Sequence, residues 1–288
     1  MGPLPAAVAA VPAVESRRVE LDFSALAAAG ILVPNASRSL LGDQIRVIKR
    51  PLIRNAVGKG AAKLDNGNLI MITSALAGEG KSFTAVNLAM SIATELDHTV
   101  MLVDADVARP SVSRMLGLVS GRETYNGPGL LDVLDGRVEM SSALLKTNID
   151  KLTVLPSGTE HARATELLAS DAMTKLLEEM GRRYADRIII FDSPPLLLTT
   201  ESRVLATHMG QIVVVIRAEK TLQSDVQSAL ATIEQCSVRL LLLNRTTATA
   251  EGGYGYGYGY GYGYGQGGDR DQDRELVNDQ SAPQAPSP

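Results

Sequence analysis

The chain has 288 residues, 45% of them apolar, and a formal net charge of −4. That length holds one good α/β core with tails, and the acidic balance argues against a dedicated nucleic-acid binder, which would normally be basic. No run reaches the roughly 18 uninterrupted apolar residues of a membrane helix, and the single cysteine, Cys236, cannot form an intrachain disulfide or a multi-thiolate metal site.

Residues 1–18 are alanine- and proline-rich and read as disordered. Arg17 and Arg18 follow the apolar part, the reverse of a signal peptide, so a cytoplasmic location is expected. Residues 19–68 read as a docking or oligomerisation segment. Val19 to Pro34 suggests a short helix or an extended arm. Leu41 to Ala56 has helical spacing, carries Arg46, Lys49, Arg50 and Arg54, and is expected to break or bend at Pro51. Val57 to Asn68, rich in Gly and Asn, is a connector into the core.

Residues 69–250 form the expected catalytic domain. Leu69 to Ile72 is an apolar run, S-A-L-A-G-E-G-K-S follows at Ser74 to Ser82, and Thr84 to Thr94 has helical spacing. Further strands are predicted at Val100 to Val103, Leu152 to Leu155, Arg187 to Phe191, Gln211 to Ile216 and Val238 to Leu243, and a short helical turn at Leu130 to Leu134. Helices are predicted at Ala164 to Arg183, Glu201 to His208 and Leu222 to Glu234. Strands alternating with helices imply a mostly parallel sheet with helices on both faces, and ligands in such sheets sit at the C-terminal strand ends. Ser74, Asp104, Asp192 and Asn244 would share that edge.

Strand, glycine loop and helix in this order make a P-loop. Glycines let backbone N–H groups close around a phosphate, and the helix N-terminus adds its dipole. Ala77, Gly78, Glu79, Gly80, Lys81, Ser82 and Phe83 are the expected nucleotide-binding residues. Lys81 would neutralise the terminal phosphates and the Ser82 hydroxyl would ligate magnesium. The customary first glycine is replaced by Ala75. Asp104 and Asp106 end one strand and Asp192 ends another. Such carboxylates can cap helices, but beside a phosphate loop they suit phosphoryl transfer. Asp192 is assigned to magnesium, Asp104 to the base and Asp106 to metal support, with the order of the last two left open. Arg109 stabilises transferred charge or pairs elsewhere, and Asn244 contacts the base or only shapes a turn.

Ala77 to Ala89, V-D-A-D-V-A-R-P at Val103 to Pro110 and I-I-I-F-D-S-P-P at Ile188 to Pro195 together resemble the cytoplasmic kinase domains of bacterial tyrosine autokinases. More narrowly, they resemble exosortase-associated autokinases encoded with polysaccharide export machinery. The resemblance covers Val19 to Arg245. It implies a P-loop NTPase fold, ATP and Mg2+ as cofactors, a base role for Asp104, and phosphorylation of C-terminal tyrosines. It also implies a membrane chain-length protein as activating partner and recruitment to the inner face of the plasma membrane. Relatives assemble into rings through an E-x-x-R-x-x-R/K helix, a spacing matched by Asp43, Arg46 and Lys49. One departure is Ala108, where the family often has a first arginine.

Residues 251–268 hold Tyr254, Tyr256, Tyr258, Tyr260, Tyr262 and Tyr264, alternating with glycine, so six of the eight tyrosines lie there. The segment reads as disordered and low in complexity, with phenols free to enter an active site. Ten extended residues from Asn244 to Tyr254 span up to about 35 Å, enough to reach its own or a neighbour's site. Residues 269–288 read as a disordered end. Two competing readings remain. A MinD- or ParA-like ATPase switch would carry a signature lysine where this chain has Leu76, and a non-enzymatic scaffold would use the tail only as a sticker.

Overall fold

Apolar runs with no polar interruption must be covered on both faces, and the chain meets this need with one layered sheet. The computed structural model describes residues 16–247 apart from 61–63, 120–122, 124 and 185, so the expectations for residues 1–15 and for the tyrosine tail lie outside it. The strands are β1 (Arg17–Val19), β2 (Leu69–Ser74), β3 (Thr99–Asp104), β4 (Leu145–Thr147), β5 (Leu152–Leu155), β6 (Arg187–Asp192), β7 (Gln211–Arg217) and β8 (Arg239–Asn244). The longer helices are α2 (Leu40–Ala56), α3 (Lys81–Ala93), α8 (Asp171–Arg183) and α10 (Gln223–Ala231). The shorter ones are α1 (Phe23–Ala28), α4 (Val112–Met115), α5 (Leu130–Leu134), α6 (Met140–Ala143), α7 (Ala164–Leu168) and α9 (Glu201–Ala206).

The strand order is β1-β4-β5-β3-β6-β2-β7-β8. All neighbours are parallel except the antiparallel pair β4–β5. Alternate residues of the central strands face opposite cores, as the two-residue period of a strand requires. Met71, Met101, Val103, Phe191 and Val214 pack with α5, α8 and α9, whereas Ile70, Ile72, Leu102, Ile190 and Val213 pack with α2 and α3.

Several expectations change. The arm before Pro34 is both strand and helix. β1 pairs with β4, α1 follows under the Asp22 cap, and order therefore starts earlier than residue 19. The Asn148 side chain holds this arm by bonding both the N–H and the carbonyl of Leu21, at 3.0 and 3.1 Å. α2 runs through Pro51 without interruption. The ring removes the bond to the carbonyl of Val47, a residue 72% exposed, where water can take the place of the lost donor. The single helix expected over Ala164 to Arg183 is two, because Ser170 adopts an extended backbone and its hydroxyl accepts from the Met173 N–H to start α8. α8 then buries Met173, Leu176, Leu177 and Met180, one apolar stripe at helical spacing.

Lys49 matches the spacing of an assembly helix together with Asp43 and Arg46, but the fold turns it inward. Its side chain is 5% exposed, with Nζ 2.6 Å from Glu95 and 2.8 Å from the carbonyl oxygen of Ser91. Asp43 and Arg46 stay nearer solvent and pair at 2.5 Å, with Arg38 as a second partner of Asp43 at 2.9 Å. Removing one partner of a buried ion pair leaves the other uncompensated, but Glu95 is 40% exposed and water can reach it, so the loss stays modest where the packing is kept. Lys49→Met, which strands Glu95 and the Ser91 carbonyl, is therefore expected to lose about 1 kcal/mol in urea unfolding, and Lys49→Ala, which leaves a cavity as well, about 3 kcal/mol. Equal losses in the two variants would contradict this packing role.

Candidate active site

β2 delivers the chain to the site. The strand is wholly buried up to Ser74, whose hydroxyl donates to the Leu76 carbonyl at 2.7 Å and starts the turn. Gly78 and Gly80 have φ of 81° and 99°, left-handed values that a side chain would oppose. Gly80 is the N-cap of α3, and no side chain caps the helix. The first-turn N–H groups of this long helix therefore remain open to an anion. α3 begins at Lys81, three residues before the periodic stretch, since the loop itself forms the first turn.

The carboxylates come from strand register. Asp104 of β3 and Asp192 of β6 are direct neighbours across the parallel ladder, and the Ala105 N–H donates to the Asp192 carbonyl at 2.8 Å. Both residues are 0% exposed. Lys81 reaches across to them. Its Nζ lies 2.5 Å from Asp106 Oδ2, 3.6 Å from Asp192 Oδ1 and 3.3 Å from the Ser82 hydroxyl. Burial alone would lower the Lys81 pKa, but Asp192 and Asp106 outweigh it and raise it.

The three aspartates have different partners. Asp106 uses its other oxygen to accept the Arg109 N–H at 3.2 Å. Asp104 Oδ2 accepts from Ser111 and Val112 N–H at 3.1 and 3.0 Å, so it does cap α4, while Oδ1 has no hydrogen-bond partner. Neither oxygen of Asp192 has one. Burial raises the Asp104 carboxyl well above the usual carboxylate range, with Asp192 adding to it. Burial likewise pushes Asp192 up to about 6, against the pull of Lys81.

Buried carboxylate oxygens without donors are costly, and hard-oxygen ligands beside a hydroxyl suit magnesium. The donor set fits that ion: Asp192 and Ser82 with Asp104 or Asp106 nearby. Among the described residues no group of three or more His, Cys, Asp and Glu forms a complete metal cage. Magnesium commonly takes only one or two carboxylates and leaves its other positions to phosphate and water.

Other expected residues take different places. Ala77 and Gly78 are exposed on the loop. Glu79 is in the loop but its side chain is buried, and the Phe83 ring packs against the α2–α3 core, leaving only its backbone to the site. Arg109 is exposed. Asn244 does sit beside the loop, where its Nδ2 donates to the Glu79 carbonyl at 2.9 Å. Thr221 was not anticipated. Its hydroxyl bonds Glu79, and a pair 142 residues apart leaves no local sequence signal.

This geometry defines a P-loop nucleotide site on a parallel sheet. The ParA family, described as NUBPL iron-transfer P-loop NTPase, matches residues 66–244. Tyrosine-protein kinase YwqD of Bacillus subtilis is 32% identical over 211 residues, covering 73% of this chain and 83% of that protein. CpsD of Streptococcus pneumoniae, also named a tyrosine-protein kinase, is 33% identical over 59% of this chain and 72% of its own length. The solved kinase domain of the Escherichia coli tyrosine kinase ETK superposes with a TM-score of 0.64 at 27% identity, covering 79% of this chain and 84% of that one. The chain belongs to the ParA-type P-loop NTPases and, within them, to the bacterial tyrosine-protein kinases. It spans 26% of another relative, tyrosine-protein kinase ptk of Acinetobacter johnsonii.

The raised Asp192 pKa sets a pH test. The folded state keeps its proton up to about 6 while the unfolded chain releases it near 3.8, so stability falls as pH rises through that window and stays reduced above it. Asp192→Asn escapes this cost. In the absence of nucleotide it should be more stable than wild type by about 3 kcal/mol at about pH 8, with the gain vanishing near pH 4, read by urea unfolding. A gain independent of pH would contradict the assignment.

Proposed function

We propose that this chain is an ATP-dependent tyrosine autokinase that phosphorylates its own C-terminal tyrosines and thereby regulates exopolysaccharide synthesis or export. The observation that carries the reading is the meeting of Lys81, Asp104, Asp106 and Asp192 at the strand edge where β8 ends at Asn244, ten residues before Tyr254 in the sequence. Kinship with named tyrosine-protein kinases supports it.

The loop N–H groups and the α3 N-terminus would hold the phosphates of ATP, and Lys81 would bear on the terminal ones. Magnesium, when bound, would neutralise charge between those phosphates; Ser82 and Asp192 would hold it, with Asp106 in support. A tail phenol then attacks the γ-phosphorus, the bond to the β-phosphate oxygen breaks, and ADP leaves. Asp104 takes the phenolic proton. Burial suits it to that role, because a carboxyl with a raised pKa holds a proton more readily. Arg109, exposed beside Asp106, would offset charge on the transferred group.

Each phosphate adds roughly −1.5 to −2 charges, so a fully modified tail gains on the order of −9 to −12. Such a tail would repel its copies. Unmodified chains would assemble, with Asp43 and Arg46 of α2 on the interface, and modified chains would separate. A membrane chain-length protein would activate the kinase at the inner face of the plasma membrane.

Intact-mass measurement after incubation with ATP and magnesium should give a ladder of phosphate additions. The ladder should vanish in Lys81→Met and in a chain ending at Ala250. ATP hydrolysis without additions, even with the cytoplasmic segment of a membrane partner present, would favour a ParA-like switch instead. For assembly, a variant with all six tail tyrosines changed to phenylalanine should stay oligomeric on sizing with ATP and magnesium while wild type dissociates. Equal sizes would overturn the switch.

A further inference from the structure

A loop built to receive a polyanion gains nothing from a carboxylate aimed at the ligand, yet Glu79 stands in the middle of this one. The structure resolves the conflict by turning the side chain away. Glu79 is 2% exposed, and its Oε2 accepts the Leu76 N–H at 2.7 Å. Its Oε1 accepts the Thr221 hydroxyl, which in turn accepts the Arg217 N–H at 3.2 Å. The phosphate loop is thereby tied across itself and onto the connection between β7 and α10.

The loop backbone is tied to the same edge of the sheet. The Asn244 side chain donates to the Glu79 carbonyl at 2.9 Å, while the Ala218 N–H donates to the Asn244 carbonyl at the same distance. Gly80 leaves the space this requires, since a β-carbon there would collide with the Asn244 amide nitrogen. Thr247, three residues into the tail's root, bonds Glu219 at 3.2 Å. Phosphate loop, β7–α10 connection and the end of β8 are therefore joined by hydrogen bonds at Glu79, and the Thr247–Glu219 bond is a separate tie beside them.

We infer that Glu79 is a positioning residue that holds the phosphate loop in its binding shape before nucleotide arrives, acting through Leu76 and Thr221. The inference rests on the nucleotide-site reading above. Glycines at positions 78 and 80 leave the loop intrinsically free, and an untied loop must be ordered when the ligand binds, which weakens affinity. A carboxylate is suited to the task because it accepts two hydrogen bonds at once and is stronger than a neutral acceptor.

Hydrogen–deuterium exchange on the nucleotide-free full chain and the dissociation constant of ADP with magnesium test this together. Glu79→Ala should exchange the amides of residues 75–82 about tenfold faster and weaken ADP about tenfold, with kcat at saturating ATP changed much less. Glu79→Gln, which keeps an acceptor for the Leu76 N–H, should restore most of the protection. Thr221→Val keeps the tie from Glu79 to Leu76 and cuts the one to the β7–α10 connection, together with the acceptor of the Arg217 N–H; it should loosen the loop with Tm lowered by only a few degrees, which decides the matter if Glu79→Ala does not fold. Wild-type exchange and affinity in Glu79→Ala, or unaltered exchange in Thr221→Val, would overturn the inference. So would a Glu79→Gln as loose as Glu79→Ala. If wild type itself binds no ADP, the nucleotide reading falls, while the exchange rates still decide whether Glu79 orders the loop.

Discussion

Two carboxylates held side by side and fully buried dominate this structure. The parallel register of β3 and β6 puts Asp104 and Asp192 on adjacent strands, both without exposure, and the Lys81 ammonium lies 3.6 Å from Asp192. Like charges in a buried site raise each other's pKa, and a buried cation partly offsets this. The nucleotide-free protein therefore carries an electrostatic cost that a bound divalent cation is suited to relieve. Stability is given up where function is concentrated, as is common for sites built to bind charge.

The sheet makes that cost tolerable. Its central strands are apolar on both faces, and two helical layers cover them, so the polar groups at the strand ends stand on a rigid frame. α3 has two duties. Its buried side chains, from Ala85 to Ala93, lock it to the sheet, and the same locking fixes its uncapped N-terminus at the phosphate loop. α2 lies over this helix and sends Lys49 inward to Ser91 and Glu95 near the far end of α3. A residue with the spacing of an assembly motif thus acts within its own protomer, and its neighbours Asp43 and Arg46 remain nearer the surface.

Asp104 illustrates why a functional reading and a structural one need not compete. One oxygen caps α4 and the other is unpartnered beside Asp192. The capping bonds fix the orientation of the carboxylate, as the proton-acceptor role proposed for it requires, and burial raises its pKa. Asn244 shows the opposite outcome. It reaches the expected edge, but its amide is spent on the phosphate loop backbone.

The amino-acid sequence by itself determined the parts whose causes are local. The apolar runs of β2, β3 and β6, the glycines that permit left-handed turns, and the lysine and serine that follow them are written within a few residues of one another. So were the aspartates at the strand ends and the alternating tyrosines of the tail. Only the tertiary structure decided which of these meet. The pairing of Asp104 with Asp192 depends on strand order, the tie from Glu79 to Thr221 joins residues 142 positions apart, and the short strands β1 and β4 exist because each completes the other's ladder. The inward turn of Lys49 was hidden for the same reason, whereas the break at Ser170 has a local cause, a capping serine followed by Asp171, that the longer periodicity masked. Helical spacing specifies a face, but what that face packs against is set by the rest of the fold, and burial then decides whether a charge serves the surface or the core.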